Sequence, residues 1–238
     1  MATWVTHLMI ADIVLEKCPS LDRRGFCVGS VAPDCNIENE DWTVFTPSRE
    51  ITHWMQGERK QLSDCDSFCD AYLLKPVNHL LSREQHAFYL GYYAHLIADA
   101  AFQLMTRDEE RVRAVWKRIK ESENRRAASA GMDETWDSVK KLIPAKERMR
   151  EIYAMEADYL VSHPDSGYLT EILPLKSFPD YIDYLPPGAI TRKIHVMGYL
   201  PQQDKAVQYI CFSQDEYTAF VKNTIQLITE HFVTKRLL

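Results

Sequence analysis

The stretch EQHAFYLGYYAHLIADAAFQLM, from Glu84 to Met105, decides how the rest of the chain is read. It is long enough for roughly six helical turns and is apolar on nearly every face between Ala87 and Phe102. A helix that is hydrophobic all round is buried in the core of its protein. Yet His95 and Asp99 stand in its middle, at i and i+4, so both project from one face about one turn apart. An ionised carboxylate there costs several kcal/mol unless it is paired or binds a metal. The helix alone leaves two answers open. His95 and Asp99 pair with each other or with a buried Arg as a structural network, or they belong to a metal or catalytic site. The stretch does not read as a membrane span. His95, Asp99 and Gln103 interrupt it, and a bilayer needs about 20 uninterrupted apolar residues.

The chain has 238 residues, 46% of them hydrophobic and 26% charged, which suits one sizeable globular domain over residues 1–238. Only 8 glycines argue against a Rossmann-like protein, which needs them at tight turns. A net charge of −6 with no basic face disfavours nucleic acid as the main partner, since phosphate binding needs clustered Lys and Arg. The basic residues from Arg107 to Arg126 alternate with acids and read as a solvated helix face. The opening MATWVTHLMIADIVLEK lacks a basic n-region, and Asp12 interrupts its apolar run, so a cytoplasmic location is expected. The 6 cysteines then read as free thiols. Cys65 and Cys69 share a helix face, but no CxxC pattern supplies further thiolate ligands.

Outward from the central stretch, the expected fold is all-α, with about eight helices around the buried one. Residues 4–17 read as an amphipathic helix with His7 in its first turn, on or beside the apolar face, where a satisfied core histidine is the ordinary case. Residues 22–31 form a second helix, ending in GSVAPD; Asp34 then sits on a loop or helix end, as a turn aspartate or as a carboxylate aimed into a site. Residues 36–52 read as an irregular loop, packed down by Trp42 and Phe45, that ends at His53-Trp54; long ordered loops are often functional. Helices are expected over 64–75, stopped before Pro76, and over 107–123, 133–143 and 145–162. Ser82 with Gln85 and Ser213 with Glu216 read as capping boxes for the central helix and for a terminal helix over 214–234. Between them, residues 163–201 are rich in Pro and Tyr and read as short helices and packed loops, either a roof over a pocket or plain packing.

The candidate partners of His95 and Asp99 are His7, Asp34 and His53. Histidine and aspartate suit zinc, and also iron or manganese. The segments THLMIAD, GSVAPD, ITHW and FYLGYYAHLIADAAF, in that order, resemble the zinc-dependent phospholipase C family, related to the P1/S1-type nucleases. The resemblance implies an all-helical domain whose His, Asp, His and helical HxxxD supply ligands to a zinc cluster. Carried over residue by residue, it implies that Asp34, His53, His95 and Asp99 hold one ion and that Asp99 bridges to a second held by His7. It also makes Asp34 the candidate general base.

The sequence departs from that pattern in two ways. The secreted enzymes begin with a processed Trp whose amino group binds zinc; here Trp4 lies within the chain, so that ligand does not carry over. They also use a further His and an HxxxE pair for a third ion. After Asp99 this chain has only His163, His195 and His231, none followed four residues later by Glu, which predicts two ions. Glu156, Asp158 and His163 are the residues from which a substitute site would be built. His79 and His86 flank the start of the central helix and are left out, and His231 falls where a cation favours the helix dipole. The resulting expectation is a metal-dependent hydrolase of phosphoric esters, acting on a small-molecule or lipid substrate through a dinuclear zinc site. Two other readings keep the same residues: an iron enzyme that activates oxygen, and a helical module with a purely structural polar network.

Overall fold

A computed structural model describes residues 2–56, 63–75 and 80–238. In chain order the helices are α1 (Trp4–Lys17), α2 (Arg23–Gly29), α3 (Arg49–Thr52), α4 (Cys65–Tyr72), α5 (Arg83–Arg107), α6 (Glu109–Glu121), α7 (Glu123–Arg126), α8 (Trp136–Leu142), α9 (Ala145–Ser162), α10 (Ala189–Met197) and α11 (Gln214–Thr234). A 3-10 turn at Ala32–Asp34 follows α2, and a π-helical turn at Tyr168–Ile172 follows α9. The fold is all-α, as the sequence predicts, with one small exception. Residues 36–52 are not irregular throughout: β1 (Ile37–Glu38) pairs antiparallel with β2 (Phe45–Thr46), in the register Ile37 to Thr46. Two-residue strands carry too little alternation to be read from sequence. Pro76 and His79 lie outside the described residues.

Helix α5 is the axis of the molecule. Every residue from Ala87 to Asp99 is buried, the all-round burial that its composition demands. Ser82 caps its N-terminus by accepting from the Gln85 N–H at 3.1 Å. The capping box is only half made, because the Gln85 side chain donates instead to the Tyr89 hydroxyl. The Ser213–Glu216 box on α11 is complete. No helix among the described residues is long and apolar enough to cross a membrane.

Helix α2 lies directly against α5, backbone to backbone. A Cβ on Gly29 would stand 2.0 Å from the Phe88 carbonyl oxygen, and one on Gly91 would stand 2.1 Å from that of Phe26. Only glycine permits such an approach without moving a helix. The close fit sets the position of everything that follows α2, including the turn that carries Asp34. Aromatic rings fill the far side of α5, where Phe68 stacks on Tyr92 at 4.6 Å. All six cysteines are unpaired thiols, five of them buried.

Candidate metal centre

His95 and Asp99 project from α5 as their spacing requires, and His7, Asp34 and His53 converge on them from three other elements. His7 closes the first turn of α1, whose start is fixed by Thr3 as N-cap. Its ring stacks on that of His95 at 3.8 Å, tilted by 9°. Asp34 ends the 3-10 turn after α2. His53 is the C-cap of α3. The sequence-predicted residues are thus gathered in one cluster, buried apart from Asp34, which is half-buried.

The distances within it have a common scale. His53 Nε2 lies 3.4 Å from Asp34 Oδ1, 3.4 Å from His95 Nε2 and 3.5 Å from Asp99 Oδ2. His95 Nε2 is 3.7 Å from Asp99 Oδ2, and His7 Nε2 is 3.6 Å from Asp99 Oδ1. These are long for hydrogen bonds. Donors placed about 2.1 Å from a shared centre in a tetrahedron are separated by about 3.4 Å. Asp99 turns one oxygen toward His53 and His95 and the other toward His7. Two overlapping triads, His7/His95/Asp99 and Asp34/His53/His95, keep their candidate ligand atoms within 4.8 Å of one another.

The surroundings orient these groups. His95 Nδ1 lies 2.8 Å from the Ser30 carbonyl oxygen, which can only accept, so Nδ1 carries the proton and Nε2 presents its lone pair to the cluster. His53 Nδ1 meets the Thr52 hydroxyl at 3.0 Å, which likewise turns Nε2 inward. Trp4 Nε1 donates to Asp34 Oδ2 at 3.2 Å, and the Ala2 N–H donates to Asp99 Oδ1 at 2.9 Å. His7 Nε2 has no hydrogen-bond partner among the described residues. The centre therefore holds two carboxylates and the inward lone pair of His95 Nε2 within a few ångströms of one another, a donor set that a cation satisfies. Asp12, also buried on α1, behaves differently: Arg23, Tyr159, Ser166 and the Gly167 N–H all donate to it, leaving nothing for an ion to do.

Electrostatics follow from this arrangement. Burial pushes the His95 imidazole down to about 3, helped by the neighbouring His7, so it stays neutral and able to ligate. Burial opposes ionisation of Asp34, but the adjacent His53 and His95 together outweigh it and hold the carboxyl well below its usual range. Asp99 is likewise held down: burial opposes its ionisation, and His7 together with the other positive groups around it, His95 among them, outweighs burial. His53 is raised, since Asp34 and Asp99 outweigh the cost of burying its charge.

Two cavities border the cluster. One, of about 230 Å³, reaches Asp34 and is walled by Trp4, Tyr153, Tyr168 and Tyr199. The other, of about 530 Å³, reaches His53 and Asp99. Phe45 and Arg49 border both, so the β1–β2 hairpin stands between them. Trp42 at its tip is 44% exposed rather than packed down, with its ring edge-on to Phe45. Residues 163–201 supply walls to the smaller cavity through Tyr168, Lys193 and Tyr199.

The substitute third site does not form. Glu156 is fully buried and accepts from Thr6, whereas Asp158 and His163 are exposed and line a groove between α1, α9 and α11. Asp158 is two residues from Glu156, about 200° round the helix, and His163 is the non-helical C-cap beyond its end. His231 contacts the Tyr93 hydroxyl at 2.9 Å. Sequence reasoning missed Ser30, Thr52, Asn36 and the Gly29–Gly91 contact. Of these only Gly25-x-x-x-Gly29 left a signal, a small-residue face that lets two helices touch.

No curated protein and no solved structure matches the chain. A protein family described as zinc dependent phospholipase C matches residues 6–102. His7, Asp34, His53, His95 and Asp99 all lie inside the matched stretch.

Proposed function

We propose that the chain is a hydrolase of phosphoric esters that uses a dinuclear zinc site, held by His7, Asp34, His53, His95 and Asp99, to activate water. The family match supports metal-dependent phosphoester hydrolysis. The observation that carries the finer reading is the spacing of the donor atoms at 3.4–3.7 Å around a two-sided Asp99, with His7 Nε2 lacking a partner. In a purely structural network His7 Nε2 would ordinarily sit at hydrogen-bond distance from its neighbour, whereas Asp99 Oδ1 lies 3.6 Å away.

Bound zinc supplies Lewis acidity, which lowers the pKa of a water to near neutrality and offsets phosphoryl charge. The chain's own groups do the rest. Asp34 borders both the cluster and the smaller cavity, so it is the carboxylate positioned to take a proton from an attacking water. Trp4 fixes its outer oxygen. Arg49, on the border of both cavities, is placed to meet an anionic ester. A small-molecule or lipid phosphoester fits these spaces, and the net charge of −6 does not favour nucleic acid as the main partner. Six unpaired thiols suit a reducing compartment, so we assign the work to the cytoplasm. His95→Ala and Asp99→Ala should each lower hydrolysis of bis(4-nitrophenyl) phosphate by roughly 10³-fold or more while retaining helical circular dichroism. Undiminished hydrolysis by both variants would sink the proposal.

A further inference from the structure

The smaller cavity contains two polar side chains that the proposed chemistry does not use. Glu156, on α9, is 0% exposed. Its Oε1 accepts from the Thr6 N–H at 2.9 Å, from the Thr6 hydroxyl at 2.6 Å and from Thr3. Its Oε2 has no partner among the described residues. Asn36, 2% exposed and two residues beyond Asp34, also borders the cavity, and its Nδ2 has none either. Leaving such buried groups unmade is costly, so each points to a ligand atom.

We propose that this cavity is a subsite for a neutral, hydroxyl-bearing organic group on the phosphoester, with Glu156 and Asn36 as its hydrogen-bonding residues. The inference rests on the phosphoester reading above. A hydroxyl both donates and accepts, so one can pair with Glu156 Oε2 and another can accept from Asn36 Nδ2. The aromatic walls suit the C–H faces of a polyol. At about 230 Å³ the space exceeds the roughly 150 Å³ that admits a benzene ring.

A cationic head group is disfavoured on three grounds. The Lys193 ammonium already lies 5.2 Å from the Trp42 ring and 5.5 Å from that of Phe45, the seat a ligand cation would take. Lys193 and Arg192 together outnumber their shared partner Glu38. Burial also pushes the Glu156 carboxyl up to about 8, so at neutral pH it offers no full negative charge.

The test uses 4-nitrophenyl phosphodiesters that differ only in the second alcohol: methyl, choline, 2-hydroxypropyl, 3-hydroxypropyl and 2,3-dihydroxypropyl. In each, water forms a new bond to phosphorus, the bond to 4-nitrophenolate breaks, and the other alcohol stays on the phosphate. The metal-loaded protein should show kcat/KM for the dihydroxypropyl ester about tenfold or more above that for the methyl ester, and no preference for choline over methyl. In Asn36→Ala, and in the closer-sized Asn36→Leu, one hydroxyl should stop mattering while the other, at Glu156, keeps its effect. A preference for choline, equal rates for all five esters, or an unchanged hydroxyl pattern in both variants overturns the inference. If no ester is cleaved, the phosphoester reading fails by itself. The subsite is then decided by quenching of tryptophan fluorescence, since Trp4 and Trp42 border the cavity. Saturable binding of the dihydroxypropyl ester, tighter than that of the methyl and choline esters, supports the subsite, and its absence refutes it.

Discussion

Replacing Gly29 with alanine should damage the metal centre without touching any of its residues. The added Cβ would stand 2.0 Å from the Phe88 carbonyl oxygen, where ordinary contact begins at 3.4 Å, so α2 and α5 must part by about 1.4 Å. Neither side can yield by rotating a side chain, because the obstacle is helix backbone. Overpacking of this kind costs about 1–3 kcal/mol. The Ser30 carbonyl, one residue further on, moves away from His95 Nδ1, which it now meets at 2.8 Å, and losing that bond adds about 1 kcal/mol. Together these amount to roughly 2–4 kcal/mol, which for a chain of this size lowers Tm by roughly 5–15 °C. Freeing the His95 ring and shifting the Asp34 turn should weaken zinc binding by about 10–100-fold. Thermal unfolding gives the first number, and competition for zinc against a chromogenic chelator gives the second. A Gly29→Ala protein with wild-type Tm and wild-type zinc affinity would refute the claim that the α2–α5 contact positions the site.

Three further outcomes are expected. Zinc bound at about a thousandfold over its Kd stabilises by about 4 kcal/mol, so excess EDTA should lower Tm by roughly 8–16 °C, and an unchanged melting curve would speak against resident metal. Burial raises the Glu156 carboxyl from 4.5 to about 8, so its contribution to stability is full below about pH 4.5 and is lost as pH rises through about 8. The span corresponds to roughly 5 kcal/mol; urea unfolding from pH 5 to 9 should show the wild type losing stability relative to Glu156→Gln, and parallel profiles would contradict the burial argument. Trp4→Phe removes the donor to Asp34 Oδ2 and should lower hydrolysis about tenfold with zinc content retained, and full activity would show that this bond does not position Asp34.

The pairing of His95 with Asp99 was legible because both lie on one helix, where spacing fixes direction. The other three residues were legible only through family resemblance, since nothing local says that α1, the Asp34 turn and the end of α3 meet. The hairpin at Ile37–Thr46 escaped because its strands are too short to show alternation. In the sequence, scarce glycine argues only against one fold class; its work here, letting α2 touch α5, depends on two segments distant in sequence. Glu156, Asp158 and His163 are close in sequence, but helical rotation turns Asp158 away from Glu156, and His163 leaves the helix as its C-cap, so both stand in solvent while Glu156 is buried.

The most direct test of the account is the zinc content of the chelator-free purified protein, measured by elemental analysis beside Asp99→Ala. The account predicts two zinc ions per chain, both lost or loosened when the two-sided carboxylate is removed. No stoichiometric metal in the wild type, or the same zinc content in both proteins, would contradict it.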